Sequence, residues 1–513
     1  MKRGENQRLI EFLSNPATHD TVEPVKVIHT HAAIIFLAGQ TAYKIKRPVR
    51  YTYLDFSTLE RRHSVLQREL TLNKLAAPQI YCDLIPITET PDGTLTLGGD
   101  GTAIEWALRM NRFSAEAELS QIAARGAFSD NLAATLGYQI VLYHSNAPII
   151  HKYEARNLIG EILEELDTEF CAMIDVLPQK KITTFNTRAR AALAAGSELL
   201  KARGDKGYVR RGHGDLHLRN LVCLEGLPVL FDALEFDEKL GTMDVLYDLA
   251  FLIMDMLHSG QRRPANIVLN RYLFHAKTDD HLTGLAALPL FLSIRAAIRA
   301  MVAVQAGGLS VKDVDASAPE AIRYLDDALT YLAPPAPCLV AIGGLSGTGK
   351  TTLASAIAPE IGAAPGALHL RSDLERKALF NVDEFYHLSA EAYTEEASQA
   401  VYIRLHQKAR AALLAGHSVI IDAVHLTAVQ RDATQSIASQ AGVPFTGLWL
   451  EADTKILTTR VMERKRDASD ADETVVSLQA AAATGEIDWN RIEVEQTIGS
   501  IQNDALAVIV AGS

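Results

Sequence analysis

Cysteine is scarce in this chain, and what there is lies scattered. Cys82, Cys171, Cys223 and Cys338 form no C-x-x-C pair and have no histidine at ligand spacing, which excludes a sequence-local zinc site and a disulfide framework. They read as reduced, mostly buried thiols. Basic charge is not in excess either: 50 Lys and Arg face 62 Asp and Glu, a net charge of -12. That balance excludes an extended nucleic-acid surface, which needs clustered cations, although a local basic pocket remains compatible with it. The apolar runs at Ile34 to Ala38, Val419 to Ile421 and Ala505 to Ala511 have strand length, so no membrane span is expected. Met1 to Gln7 leads into mixed polar sequence without an apolar signal core. A cytoplasmic protein is expected. Internal repeats and low-complexity tracts are absent as well.

What is present is size and punctuation. At 513 residues, 48% hydrophobic and 22% charged, the chain exceeds a single core and predicts two or three globular domains. Ala333-Pro334-Pro335-Ala336-Pro337 stiffens the backbone and forbids helix or central strand. The expected division is residues 1–332, a linker at 333–337, and residues 338–513. Within the first part, residues 25–110 read as strand-rich, with a hairpin turning at Gly39 and a charged helix from Leu59 to Leu75. Residues 111–330 read as helical.

Directly after the prolines, an apolar strand from Cys338 to Ile342 runs into Gly344, Leu345, Ser346, Gly347, Thr348 and Gly349, followed by Lys350, Thr351 and Thr352 at the start of a helical pattern. Strand, glycine-rich loop, helix is the context a phosphate-binding loop demands. Its glycines let backbone N–H groups point inward, and the helix N-terminus adds its positive end. Lys350 is placed on the β/γ-phosphates of ATP and Thr351 on Mg²⁺. A second apolar strand ends in Asp422, a candidate for Mg²⁺ or for positioning water.

Between these, Asp373 and Arg376 share one helical face at i, i+3. Asp373 is a candidate base for an attacking hydroxyl, and Arg376 a candidate cation for an anionic substrate or the moving phosphoryl. The same spacing also suits an N-cap aspartate with a surface arginine. Arg464, in a charged helix, is the candidate lid cation, and a solvated helical face accounts for it equally well. From Leu339 to about Leu478 the order of parts resembles the small P-loop kinases of the polynucleotide- and gluconate-kinase-like group. The resemblance implies that the Asp of Asp-x-x-Arg, here Asp373, acts as base on a substrate hydroxyl.

The first part carries His213-Gly214-Asp215-Leu216-His217-Leu218-Arg219-Asn220, and Asp232 follows a strand-like stretch. Phosphoryl transfer needs a base near the hydroxyl and two oxygen ligands for Mg²⁺. Asp215 fits the first role, and Asn220 with Asp232 fit the second. This pattern resembles the aminoglycoside phosphotransferase and fructosamine kinase side of the protein-kinase-like fold. Asp248, in Asp248-Leu249-Ala250, matches that family's Asp-Leu-Ala element and is expected to brace the catalytic loop. Upstream, Lys44 and Glu69 stand where kinases carry the phosphate-contacting Lys and its helix Glu. Lys44 and Lys46 share a strand face, so alternation does not choose between them, and Lys44 is taken as the cofactor contact. The turn at Gly39 lacks a G-x-G-x-x-G, and no Gly follows Asp232, which leaves open whether Glu235 reaches the metal.

Together with Lys46-Arg47-Pro48-Val49 and Leu252-Ile253-Met254-Asp255, the two parts resemble the bifunctional aminoglycoside phosphotransferase-like, ATP-binding proteins. The implied architecture is multi-domain, α+β then α/β: a two-lobed kinase-like fold followed by a P-loop parallel-sheet domain. The implied cofactors are ATP and Mg²⁺, with small-molecule or nucleotide-like acceptors. Two rival readings are a catalytically idle kinase-like module regulating the P-loop domain, and a P-loop ATPase switch. The acidic run from Glu161 to Asp167 reads as a solvated helix face. His29, His31, His63 and His425 attract no role from spacing.

Overall fold

The computed structural model describes residues 3–51, 54–307, 311–463 and 467–511. By packing it divides into two compact units, residues 1–155 with 204–259 and residues 156–203 with 260–513. The irregular proline segment, 333–337, falls inside the second unit.

The first unit opens on a six-stranded antiparallel sheet in the order Lys26–His29, Ala33–Ala38, Thr41–Lys46, Thr102–Asn111, Tyr81–Glu89, Leu95–Leu97. The Ala33–Ala38 and Thr41–Lys46 strands pair through a turn in which Gly39 takes φ +53°. Period-2 alternation gives the sheet two working faces. Ile34, Phe36, Tyr43 and Ile45 pack with Leu9 and Leu13 of the helix Arg3–Ser14. Lys44 and Lys46 therefore lie on the opposite face, where the helix Leu59–Ala76 packs. That helix is capped by Thr58, whose side chain accepts from the Arg61 N–H. Its buried stripe is Arg62, Leu66, Glu69 and Asn73, mostly polar, so it presents hydrogen-bonding groups as well as oil.

Later in the same unit, Leu221–Leu224 and Leu227–Leu230 form a hairpin in register Leu221↔Leu230. Its tip, Glu225 at φ +51° and Gly226 at φ +82°, has the double left-handed turn that matches strand twist. Because the hairpin is this short, its two ends lie side by side, and the Phe231 N–H donates to the Asn220 carbonyl at 3.1 Å.

The second unit combines helices with a five-stranded parallel sheet ordered Leu368–Arg371, Val419–Asp422, Leu339–Gly344, Phe445–Glu451, Asn490–Glu493. Val340, Ile342, Ile420 and Leu448 are fully buried, with Leu353 and Ile357 of the helix Lys350–Ile357 in the same cluster. Near-continuous apolar strands suit a sheet covered on both faces. The free edge of the first strand is covered by the helix Arg262–His275. Asn266 Nδ2 donates to the Ala367 carbonyl at 3.0 Å, and Asn270 Oδ1 accepts the His369 N–H at 2.7 Å, so side-chain amides stand where a neighbouring strand would.

Two expectations are corrected. The segment Asp280–Ala306 is long and apolar enough to span a membrane, contrary to the reading from short runs, but 61% of its most apolar window is buried within the protein. Arg295 is buried within it, as suits a core helix. Cys171 is exposed and the other three cysteines are half-buried, so they are less sealed than their scarcity suggested.

Candidate active sites

Two buried ammonium groups on one strand face require partners, and the first unit supplies three carboxylates. Lys44 Nζ lies 2.6 Å from Glu69 Oε1 and 2.7 Å from Asp232 Oδ1. Lys46 Nζ lies 2.6 Å from Glu69 Oε2 and 2.6 Å from Glu235 Oε1. Alternation left the lysines equivalent; geometry separates them, since only Lys44 pairs with Asp232. Glu235 sits on Lys46, which settles where its carboxylate rests. Burial opposes both ammonium charges, yet Asp232 and Glu69 raise Lys44 well above its ordinary value, and Glu69 with Glu235 raise Lys46. Burial likewise pushes Asp232 up, and Lys44 overcomes it, holding this carboxyl below the usual range.

The loop from His213 to Asn220 is pinned from behind. Asp248, fully buried, accepts the His213 N–H at 2.6 Å and the Gly214 N–H at 3.0 Å. Gly212 is required there, because a Cβ would stand 2.6 Å from Asp248 Oδ2. Asn220 Nδ2 donates to Asp215 Oδ2 at 2.9 Å and to the Asp215 carbonyl at 2.9 Å. Asp232 holds φ +59°, stabilised as its N–H donates to Tyr81 Oη at 3.0 Å and the next N–H to Asn73 Oδ1 at 2.8 Å. Within this cluster the side chains of Asp215 and Asp232 remain 42% and 40% exposed while Glu69 is sealed. Open carboxylates beside a buried ammonium suit a Mg²⁺-bound polyphosphate, which takes one or two carboxylates and completes its shell elsewhere.

In the second unit the phosphate loop follows the central strand. Gly344 takes φ +132° and a Cβ there would meet the Leu450 carbonyl at 2.6 Å, whereas a Cβ on Gly349, at φ +88°, would meet nothing within 4 Å. The first glycine lets the loop turn against the next strand, and the second lines open space of the kind an anion needs. Leu345, Gly347 and Thr348 complete the loop, and Thr352 is exposed on the following turn. Lys350 Nζ donates to the Gly344 and Leu345 carbonyls, each at 2.9 Å. Thr351 Oγ1 donates to Asp422 Oδ2 at 2.7 Å. The Ser346 N–H donates to Gln479 Oε1 at 2.8 Å, bringing the helix Glu473–Ala481 onto the loop.

Asp422 is also 3.1 Å from His369 Nε2. Burial pushes this carboxyl up, but His369, Arg371 and Lys350 prevail and hold it at about 2. Asp373 lies in the field of the same groups. Burial raises it, Arg371 opposes and Asp422 reinforces, and the net shift is upward. Lys350, Thr351, Asp373 and Asp422 thus share one electrostatic site. Burial opposes the Arg376 charge while Tyr393 and Asp373 favour it, and its guanidinium donates to the Ala392 carbonyl at 2.5 Å and lies 4.9 Å from the Tyr393 ring centroid. Arg464 lies outside the described residues.

Sequence reasoning missed Tyr81 and Asn73 behind Asp232, and His369 and Arg371 beside Asp422. It also missed Asp470, which gathers Lys377 Nζ at 2.5 Å, Tyr393 Oη at 2.6 Å and the Leu388 N–H at 3.1 Å. The one available signal was His369 and Arg371 alternating on a strand that leads into Asp373.

Residues 339–485 match the family model described as an AAA domain, which agrees with the phosphate loop and marks this part as nucleotide-binding. A protein of Mycobacterium bovis and one of Mycobacterium tuberculosis, both named only as uncharacterized proteins, are 26% identical over 480 residues, 92% of this chain and 92% of theirs. Among solved structures, a choline/ethanolamine kinase family protein from Mesorhizobium loti is 13% identical and covers 63% of this chain and 98% of its own, with a TM-score of 0.38. A gluconokinase from Sinorhizobium meliloti is 20% identical over 34% of this chain and 93% of its own, with a TM-score of 0.26. At such scores the likeness decides nothing; strand order and loop geometry define the architecture.

Proposed function

We propose that the chain is an ATP-dependent phosphotransferase with two nucleotide sites, each moving the γ-phosphoryl of ATP with Mg²⁺ to a hydroxyl of a small-molecule or nucleotide-like acceptor. In this reading the functional modules are residues 1–332 and 338–513, joined at 333–337, and the protein works in the cytoplasm, with no extended nucleic-acid surface and no membrane association. Lys44, steadied by Glu69, takes the nucleotide phosphates of the first site. Asn220 and Asp232 hold its metal, and Asp215 receives the acceptor proton. In the second site the loop N–H groups and Lys350 take the phosphates, Thr351 and Asp422 the metal, and Asp373 the proton. At each site the acceptor oxygen forms its bond to the γ-phosphorus as the bond to the β-bridging oxygen breaks. ADP leaves, and the hydroxyl proton passes to the aspartate.

The observation that carries the reading is that each constellation combines a phosphate-directed ammonium, a metal-competent oxygen pair and a separate carboxylate suited to act as base. Mg²⁺ supplies charge neutralisation when bound, and the side chains supply position. Arg376, fixed to the Ala392 carbonyl, shapes the acceptor wall through the 392–398 segment.

A second reading, an idle nucleotide-sensing module governing the P-loop site, is favoured by the direct Lys44–Asp232 contact at 2.7 Å, which nucleotide and metal must displace. Transfer of label from [γ-³²P]ATP to a metabolite pool separates the two. Distinct products lost in Asp215→Asn and in Lys350→Ala support two transferases, whereas an unchanged product set in Asp215→Asn supports the idle module.

A further inference from the structure

Asp422 ends the strand Val419–Asp422, and the strand beside it, Leu368–Arg371, pairs in parallel with Arg371 opposite Asp422. Period-2 alternation puts His369, two residues back, on the same face as Arg371. Arg371 is drawn toward Asp467, its Nη2 donating there at 3.0 Å while its Nε stands 4.0 Å from Asp422 Oδ2. His369 is not drawn off, and its Nε2 lies 3.1 Å from that same oxygen. An ionised carboxylate only accepts, so Nε2 carries the proton of this contact.

Thr351 Oγ1 donates to Oδ2 as well, at 2.7 Å. Two protein hydrogens therefore converge on one carboxylate oxygen, while Oδ1 takes no hydrogen bond from the described residues. That division fixes how the carboxylate is turned, and so which oxygen is left for a cation. With its hydrogen spent on Asp422, the Thr351 hydroxyl also keeps its lone pairs for a metal. The His369 and Asp422 side chains are only 9% and 5% exposed, so bulk water competes little for this contact.

Both donors are held by one helix that precedes the proline segment. From Arg262–His275, Asn270 Oδ1 accepts the His369 N–H at 2.7 Å while its Nδ2 donates to the Asn266 carbonyl at 3.0 Å, and turning this amide over would set donor against donor. Arg263 donates to the Ser355 carbonyl at 2.6 Å and Arg262 to the Pro359 carbonyl at 2.8 Å, on and just beyond the helix Lys350–Ile357 that delivers Thr351. On the two-site phosphotransferase reading, we propose that His369 is a positioning residue of the second centre, fixing the oxygen that Asp422 offers to Mg²⁺, and that the helix Arg262–His275, outside residues 338–513, belongs to that centre. Removing such an outer partner of a metal ligand costs about 10–100-fold in metal affinity.

The test is equilibrium titration of the full chain, carrying Asp232→Asn so that only the Lys350 cradle remains, with adenylyl imidodiphosphate in excess Mg²⁺ and again in EDTA. The readout is the ratio of the EDTA Kd to the Mg²⁺ Kd. His369→Leu should lower this ratio at least tenfold and leave the EDTA Kd within twofold. Glutamine sets an amide N–H where Nε2 stood and asparagine sets it at Nδ1, so His369→Gln should hold the ratio within threefold while His369→Asn loses it as leucine does. A histidine that only supports the fold would not separate the two. Asn270→Ala, which touches neither Asp422 nor nucleotide, should lower the ratio at least threefold. Should His369→Leu not fold, the Gln and Asn variants decide. An unchanged ratio in His369→Leu or His369→Asn, a Gln variant as poor as the Asn variant, or an unchanged ratio in Asn270→Ala overturns the proposal. If the Asp232→Asn chain itself binds no nucleotide, or binds it equally with and without Mg²⁺, the phosphotransferase reading of this centre falls and the proposal falls with it.

Discussion

The two candidate centres hold charge in different ways. The first is made of side chains that neutralise one another: Lys44 and Lys46 share Glu69, and Asp232 and Glu235 close the ring at 2.7 and 2.6 Å. The second is made largely of main chain, with Lys350 resting on two loop carbonyls and one Thr351–Asp422 contact at 2.7 Å. A buried ring of ions is costly to break, because removing one member strands another in low dielectric. A backbone cradle carries its donors in the peptide and its fold in the flanking strand, so removing one side chain costs binding and little else. The first centre should therefore lose stability when it loses function, and the second should not.

The largest effect expected is in the second centre. Lys350→Ala should lower its transfer rate on the order of 10³-fold, the scale of losing one key cation in phosphoryl transfer, with the thermal midpoint of the whole chain changed by less than about 2 °C, since His369 and Arg371 still stand beside the buried Asp422. Steady-state kinetics and a thermal melt on one preparation check both halves of that statement. Glu69→Gln should do the opposite. It should cost about 3 kcal/mol of stability, the scale of breaking a buried ion pair, together with first-centre activity, and leave second-centre products intact. Urea unfolding of the first unit's signal beside a product assay measures it; a fully stable Glu69→Gln protein would erase the distinction drawn above.

A smaller effect sharpens the second centre. Burial raises Asp373 above the ordinary aspartate value and Arg371 opposes that rise. A base must be deprotonated, so the acid limb of kcat/KM for this centre should lie above the usual Asp range, and Arg371→Gln should move it higher still. A limb that moves down in the variant would remove Asp373 as the base. The smallest effect concerns the hairpin that sets Asn220 beside Asp232. Gly226 takes φ +82° with nothing within 4 Å of a built Cβ, so Gly226→Ala should cost only about 1–2 kcal/mol of backbone strain and weaken Mg²⁺ dependence in the first centre alone.

The parts legible in the sequence were those whose chemistry is local. Gly344 to Thr351 announces itself because loop, lysine and helix start are contiguous, and His213 to Asn220 because base and amide ligand sit on one short loop. The stretch Leu221 to Leu230 before Asp232 reads as one strand, and the structure breaks it at Glu225 and Gly226 into a hairpin that returns the chain to its origin. What could not be read depends on contacts between distant segments. Nothing local joins Tyr81 to Asp232, Asp470 to Lys377, or Asn270 to His369, which are 151, 93 and 99 positions apart. Lys44 and Lys46 were equivalent by alternation and became distinct only through Asp232 and Glu235. The contacts of Arg376 with Ala392 and Tyr393 were equally out of reach of local spacing. The length of Asp280–Ala306 was not legible because its apolar residues are interrupted by Arg295 and Arg299.

The most direct measurement is the number of nucleotides one chain binds. Equilibrium dialysis with Mg²⁺ and a labelled non-hydrolysable ATP analogue should give two per wild-type chain, one in Lys350→Ala, one in Asp232→Asn and none in the double variant. A single site per wild-type chain, or two sites persisting in either single variant, would contradict the account.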